Sequence, residues 1–219
     1  MSRRRARREE RDCWRGKGDP TPFVPGIPAE VERATSLGSL FRSMACCTRC
    51  ALAPERTQVV AGTGPRDARV MFIGEAPGAD EDRQGRPFVG RAGRLLDRLF
   101  EENGMDRADV FITNIVACRP PGNRNPRAAE IRAHAPWLEE QLRLVAPELL
   151  VTLGRIALTY FMPGERITKV RGVPRTIEWS GRRMTLLPLL HPSAAVRRRE
   201  LLPALEADFA RIPALLARL

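Results

Sequence analysis

Four short apolar runs punctuate the chain, and each ends in glycine or a polar side chain. Val70–Ile73, Val110–Thr113, Leu149–Leu153 and Met184–Leu190 are long enough for strands and too short for helices. Their continuous apolar character predicts strands covered on both faces. Longer segments with helical spacing lie between them. Arg91–Asn103 sets Leu95, Leu96, Leu99 and Phe100 on one side. Pro126–Val145 does the same with Ile131, Leu138, Leu142 and Val145, and Pro136 marks a break or a second helix start. A further helix is expected after Gly154, and Leu205, Phe209, Ile212 and Leu216 give the C-terminal stretch helical turns. This alternation predicts an α/β fold: a three-layer α/β/α sandwich with a mainly parallel, four-stranded central sheet.

Residues 1–35 carry a different pattern. Arg3, Arg4, Arg5, Arg7, Arg8 and Arg11 are followed by a Pro/Gly-rich stretch from Gly16 to Pro28. Few apolar residues are available there, so a basic, disordered tail is expected, with Cys13 unliganded inside it. Residues 36–219 then form a single domain. A helix is expected from about Pro28 through Leu40 and Phe41 to the cysteines.

The strand ends supply the first chemistry. Gly74-Glu75 closes the first run, Asn114 the second, Gly154 the third and His191-Pro192 the fourth. In open α/β sheets ligands bind outside the carboxyl ends of the strands. Glu75, Asn114 and His191 can therefore meet in one crevice although they lie far apart in sequence. Any one of them alone reads first as a structural residue; three of this chemical type at three strand ends point to a site.

Composition adds two points. The chain of 219 residues has 37 basic and 26 acidic side chains, and Lys17 and Lys169 are its lysines, so arginine carries the charge of +11. The guanidinium fork suits phosphate, although arginine-rich coding bias would give the same composition. Of five cysteines, three crowd into Cys46, Cys47 and Cys50, which favours a metal or redox centre over a disulfide framework. No apolar run approaches the roughly 18–20 residues that span a bilayer, and no signal-peptide core follows the basic start. A cytoplasmic protein without membrane contact is the expectation.

The turn Gly74-Glu75-Ala76-Pro77-Gly78-Ala79-Asp80-Glu81-Asp82 exposes backbone amides beside acidic side chains, and it lacks the Gly-Lys-Ser/Thr ending of a P-loop. Gly85-Arg86-Pro87-Phe88-Val89-Gly90-Arg91-Ala92-Gly93 follows it. Ile112-Thr113-Asn114, Cys118-Arg119-Pro120-Pro121 and His191-Pro192-Ser193-Ala194-Ala195-Val196-Arg197 come later. In this order and spacing, from about Cys47 to Phe209, the chain resembles the family-4, iron–sulfur uracil-DNA glycosylases.

The resemblance implies an enzyme that flips uracil out of DNA and hydrolyses its N-glycosidic bond to start base-excision repair. Glu75, His191 and Asn114 are the implied catalytic residues. Phe88 would stack on uracil, and the Asn114 amide would read its O4 and N3–H edge. His191 would donate to O2 as negative charge grows there. Glu75 would orient water and offset the positive charge developing on the sugar. Gly74 and Glu81 complete the implied uracil pocket, Glu81 excluding the thymine methyl. On the DNA side stand Ser193, Arg197, Arg198 and Arg199, with Ala195 and Val196 as the wedge where the family usually has bulkier leucines. Lyase activity is not expected, and no histidine between Arg119 and Asn125 suggests irreversible crosslinking.

Cys47-Thr48-Arg49-Cys50, with Leu52 and Arg56-Thr57, matches the family's N-terminal cluster half, and Cys118 supplies a third thiolate. The family's fourth cysteine falls at His134, between Glu130-Ile131-Arg132 and Pro136-Trp137-Leu138. A 4Fe-4S cluster held by Cys47, Cys50, Cys118 and His134 is implied, its role structural. Zinc suits a Cys₃His set too, and Cys46 is the other source of a fourth ligand. The expected partner is uracil-containing DNA, bound by a monomer at the bacterial nucleoid. A same-fold glycosylase for another deaminated base, such as hypoxanthine, and a non-catalytic metal-containing DNA-binding module stay open.

Overall fold

The computed structural model describes residues 34–219. The disordered basic tail expected over residues 1–35, Cys13 included, lies outside the described residues except at its end, where Ala34 is buried in one cluster with Leu40 and Trp137. Five strands form one sheet in the order β2-β1-β3-β5-β4. These are β1 (Val70–Gly74), β2 (Phe111–Asn114), β3 (Leu149–Leu153), β4 (Arg175–Trp179) and β5 (Arg182–Leu189). β1, β2, β3 and β5 run parallel, and β4 pairs antiparallel with β5.

The four parallel strands were legible as apolar runs because both of their faces are covered. Val70 and Phe72 point into one core with Val151, Leu187 and Leu189. Met71 and Ile73, displaced by one residue, point into the other with Leu150 and Leu186. The first core is closed by α3 (Arg91–Glu102), α8 (Leu202–Phe209) and α9 (Ile212–Leu216). The second is closed by α4 (Ala128–Val145) and α5 (Arg155–Phe161). Shorter helices α2 (Ala79–Gln84), α6 (Ile167–Val170) and α7 (Pro192–Arg197) sit at strand ends or in connections. The three layers are those expected.

Three details differ from the sequence-based expectation. The sheet has five strands rather than four. Arg-Thr-Ile-Glu-Trp is a largely exposed edge strand whose polar residues hide it from an apolar-run reading. Ser180 (φ 48°) and Gly181 (φ 74°) fold it back on β5 through a tight hairpin of left-handed residues. Next, α4 runs unbroken through Pro136. Trp137, Leu138 and Leu142 are buried around it, and this packing outweighs the hydrogen bond that proline cannot make. Finally, the helix before the cysteines, α1 (Leu37–Ala45), starts after Ser36, whose hydroxyl accepts from Ser39 N–H, so the chain leaves helix there rather than continuing back toward Pro28.

The outer edge of β2 is covered by the preceding segment, where Thr63 and Ile112 exchange backbone hydrogen bonds. α1 packs on α4 through Leu40, Met44, Trp137 and Leu144. Among the described residues no helix is long and apolar enough to cross a membrane.

Phe72 is the centre of the first core. Its ring meets Phe100 edge-on at 5.0 Å and stacks on Phe209 at 5.8 Å. Phe72→Ala should cost about 3–5 kcal/mol, the usual range for an aromatic side chain removed from a packed core, read as a fall in the urea midpoint.

Candidate active site and metal centre

Because β1, β2, β3 and β5 are parallel, their carboxyl ends share one edge of the sheet. A cavity of about 590 Å³ opens there, lined by Glu75, Phe88, Asn114, Gly154 and His191 among others. The three strand-end residues read from the sequence do meet.

Gly74 and Asn114 are Cα partners at the ends of β1 and β2. A Cβ at residue 74 would lie 2.4 Å from Asn114 Oδ1 and 2.6 Å from Phe88 Cζ. Glycine is thus what lets the amide and the ring approach each other. Asn114 is buried, and its Oδ1 has no hydrogen-bond partner. A buried acceptor without a donor is costly, and this one belongs to a residue that lines the cavity.

Phe88 adopts a left-handed conformation, φ 52°, unusual for a bulky residue. Glu81 maintains it. One carboxylate oxygen accepts from Val89 N–H (2.9 Å) and Gly90 N–H (2.8 Å), and the other from Gly78 N–H (3.1 Å). Glu81 reaches the cavity wall, yet its polar capacity goes into holding the turn that aims Phe88. The Phe88 ring lies 5.6 Å from the His191 ring, with 27° between their planes.

His191 caps α7, its Nδ1 accepting from Ser193 N–H at 3.1 Å. That bond assigns the tautomer: Nδ1 carries the lone pair and Nε2 the proton. Burial, reinforced by the charge of Arg197, lowers its pKa to about 4, so the ring is a neutral donor at pH 7. Glu75 is shifted the other way. Burial raises its pKa above the ordinary carboxylate value, and the charges of Arg155 and Arg197 oppose the shift.

Of the residues expected to contact DNA, Ser193, Arg197 and Arg198 line the cavity, and Val196 is half-buried beside them. Ala195 is not available as a wedge. It is buried in the core with Leu96 and Leu205, because α7 turns that face inward against α3. Asn125 and Arg155 escaped the sequence reading. Both line the cavity, and the signal for Arg155 was its place directly after Gly154.

The candidate metal ligands are only partly gathered. Cys50 and Cys118 are buried together with Leu52 and Ala133. The Cys118 thiol donates to Cys50, which lowers the pKa of Cys50 to about 7; the same bond and burial raise that of Cys118. Arg56 donates to Cys118 Sγ at 3.3 Å. Cys47 packs against the neighbouring cluster of Leu40, Met44 and Trp137. Cys46 is exposed at the end of α1. His134 is buried, its Nδ1 lies 2.8 Å from the Glu130 carbonyl, and burial lowers its pKa to about 4. A carbonyl only accepts, so Nδ1 bears the proton and Nε2 keeps a lone pair, the usual state of a ligating imidazole. The donor chemistry therefore suits a thiophilic metal centre. Among the described residues, however, no three His, Cys, Asp or Glu side chains converge as they stand.

A fold whose parallel strands bring an amide, an imidazole and a carboxylate to one edge, with an aromatic ring aimed there from the turn between α2 and α3, defines a class, and the comparisons agree. The profile of the Uracil DNA glycosylase superfamily matches residues 61–213. A type-4 uracil-DNA glycosylase of Thermotoga maritima is 48% identical over 155 residues, 70% of this chain and 79% of that protein. A second, from Sulfurisphaera tokodaii, is 43% identical over 183 residues, covering 81% and 83%. A type-5 uracil-DNA glycosylase of Thermus thermophilus is 40% identical over 121 residues, 48% of this chain and 54% of its own length. The chain belongs to the uracil-DNA glycosylase superfamily, on its type-4 branch.

The loop between Cys118 and α4 is held by Arg124, whose guanidinium forms two hydrogen bonds with buried Glu130 (2.6 and 2.8 Å). These bonds lower the Glu130 pKa. A lowered carboxylate pKa contributes stability above its unfolded-state value and loses it as pH falls through the folded one. Glu130→Gln should cost about 1–3 kcal/mol at pH 7, Arg124 being partly solvated. Thermal unfolding should show this difference shrinking as the pH drops below the ordinary carboxylate range.

Proposed function

We propose that this chain excises uracil from DNA, hydrolysing the N-glycosidic bond of a nucleotide turned out of the helix and so starting base-excision repair. The observation that carries the reading is the unpartnered Asn114 Oδ1, buried where Gly74 and the Phe88 ring come together, on the cavity that Glu75 and His191 also line.

Each group then has a task. Phe88 offers the base a face, and Gly74 leaves room for its edge. Asn114 Oδ1 accepts from uracil N3–H while its NH₂ donates to O4, a pattern that cytosine mismatches. His191 donates through Nε2–H to O2 as the bond to the sugar lengthens. Being neutral, it stabilises developing charge as a dipole rather than as an acid. Glu75, as the anion, orients water and offsets the positive charge on the sugar. Glu81 acts on the pocket through the turn it clamps, and the bulk it lends to the wall excludes the thymine methyl. Arg197, Arg198 and Ser193 contact backbone phosphate, with Val196 as the apolar contact beside them. No amine stands among these groups, which fits a monofunctional hydrolase. The protein works on chromosomal DNA in the bacterial cytoplasm, as a monomer.

Cys47, Cys50, Cys118 and His134 would hold a 4Fe-4S cluster, with Nε2 as the histidine donor. When bound, the cluster ties the segment after α1 to the loop that leads from Cys118 toward DNA. Zinc in the same donor set is the second reading. What favours it is the direct Cys50–Cys118 contact, which suits two thiolates sharing one ion. Iron, acid-labile sulfide and zinc analysis of anaerobically purified protein separates the two. Iron and sulfide in equal amounts, lost from His134→Ala, are expected; stoichiometric zinc without sulfide would replace the cluster with the ion.

Glu75 has to be ionised to work, and burial raises its pKa. The rate of uracil release should therefore fall toward acid with a midpoint above that of a solvent-exposed glutamate. It should be level through neutrality, because His191 is already neutral above about 4. Glu75→Gln should lower kcat about 100-fold or more and remove the acid limb. Full activity in that variant, or no uracil release by metal-loaded wild-type protein on any uracil-containing DNA, would overturn the assignment.

A further inference from the structure

Asn125 lies in the loop between the Arg-Pro-Pro turn and α4, far in sequence from Glu75 and Arg155, yet its amide stands between them. With the amide oriented as its neighbours require, Asn125 Nδ2 donates to Glu75 Oε1 at 3.0 Å and Oδ1 accepts from Arg155 at 2.8 Å. The sense of that amide is not a free choice. A guanidinium has only donors and a carboxylate has only acceptors, so the chain of bonds runs in one direction, from Arg155 through Asn125 to Glu75.

We infer that Asn125 is a positioning residue for the reaction: clamped by Arg155, it fixes the Glu75 carboxylate at the rim of the cavity and supports its charged form. This inference rests on the reading of Glu75 as the group that orients water. Three elements contribute to the relay: Glu75 directly follows β1, α5 begins with Arg155, and the loop carries Asn125. A half-buried carboxylate needs such support. It must be aimed within a fraction of an ångström to hold water in line, and it must stay ionised where burial favours the neutral acid. A donated N–H that is itself polarised by a cation supplies both.

The loop is suited to the task because it is anchored at two further points. Arg124, next to Asn125, is tied to Glu130 on α4, and Arg119 donates to Asn123 Oδ1 at 2.7 Å. Pro126, on the other side, is buried. Asn125 is itself exposed, so replacing it leaves the core untouched.

Substitution of Asn125 separates this role from a structural one. The charged and titratable groups facing Glu75 are Arg155 on α5 and Arg197 on α7, with Glu81, Arg124, His191 and Arg198 on the same cavity. Asn125→Ala should lower kcat about 10- to 100-fold, the loss of one charge-assisted hydrogen bond, with KM for uracil-containing DNA nearly unchanged. Asn125→Asp, which sets a second carboxylate against Glu75, should move the acid limb of the rate profile to higher pH. In a Glu75→Gln background, Asn125→Ala should cost almost nothing more, because the group it acts through is already gone. An equal loss in both backgrounds, or a change confined to KM, would overturn the inference and make Asn125 a DNA contact or a loop support. Undiminished activity of Glu75→Gln would instead remove the reading beneath it.

Discussion

The site depends on an absence, that of a side chain at residue 74. β1 and β2 end side by side, and everything that could recognise a base has to fit against that pair of strand ends. With glycine there, Asn114 and the ring of Phe88 pack over bare backbone; with any Cβ, both would have to retreat. The same logic recurs across the sheet. Gly154, in a left-handed conformation at the end of β3, lies where a Cβ would come within 2.8 Å of His191 Cβ. Two glycines thus set how closely the amide, the ring and the imidazole approach. The parallel sheet sets their common direction.

The electrostatics of the cavity have a matching economy. Glu75 and His191 are both withdrawn from water, which on its own favours the neutral form of each. A neutral imidazole is useful to a departing anionic base, whereas a neutral carboxylic acid is of little use to an attacking water. Arg197 acts on both in the helpful sense, disfavouring the imidazolium and favouring the carboxylate. Arg155 adds to the second effect alone. The charges that would face DNA phosphate therefore also sort the protonation states inside the pocket, and no buried ion pair is needed to do it.

How much of this was readable in the sequence follows from how local each feature is. Val70–Ile73 and Leu149–Leu153 announced themselves because a strand covered on both faces has to be apolar throughout. The edge strand Arg175–Trp179 did not, since half of it faces water and its place is fixed by pairing with β5. Pro136 suggested a break by local rules, and the tertiary packing of Trp137 and Leu138 overrode them. Glu75, Asn114 and His191 could be expected to converge because strand ends in a parallel sheet share an edge. Ala195 and Asn125 could not be read this way. Which side of α7 faces the core, and which amide bridges two distant side chains, are settled by packing rather than by residue type.

The segment from Cys118 to His134 shows why the cysteines and the cavity belong to one mechanical unit. Cys118 follows β2 and leads directly into the loop that carries Arg119, Arg124 and Asn125. That loop re-enters the fold through Glu130, which receives both Arg124 and the N–H of Arg127, and one turn later the Glu130 carbonyl orients His134. The thiol and the imidazole therefore bracket the loop, one at each root. A metal centre binding both would shorten the span over which Asn125 can drift from Glu75, and its loss would loosen the site from a distance without removing any group that touches the base. His134 stands at the second of those roots. Its imidazole is held neutral by burial and hydrogen-bonded to the helix that anchors the loop, so the imidazole and the loop share one support.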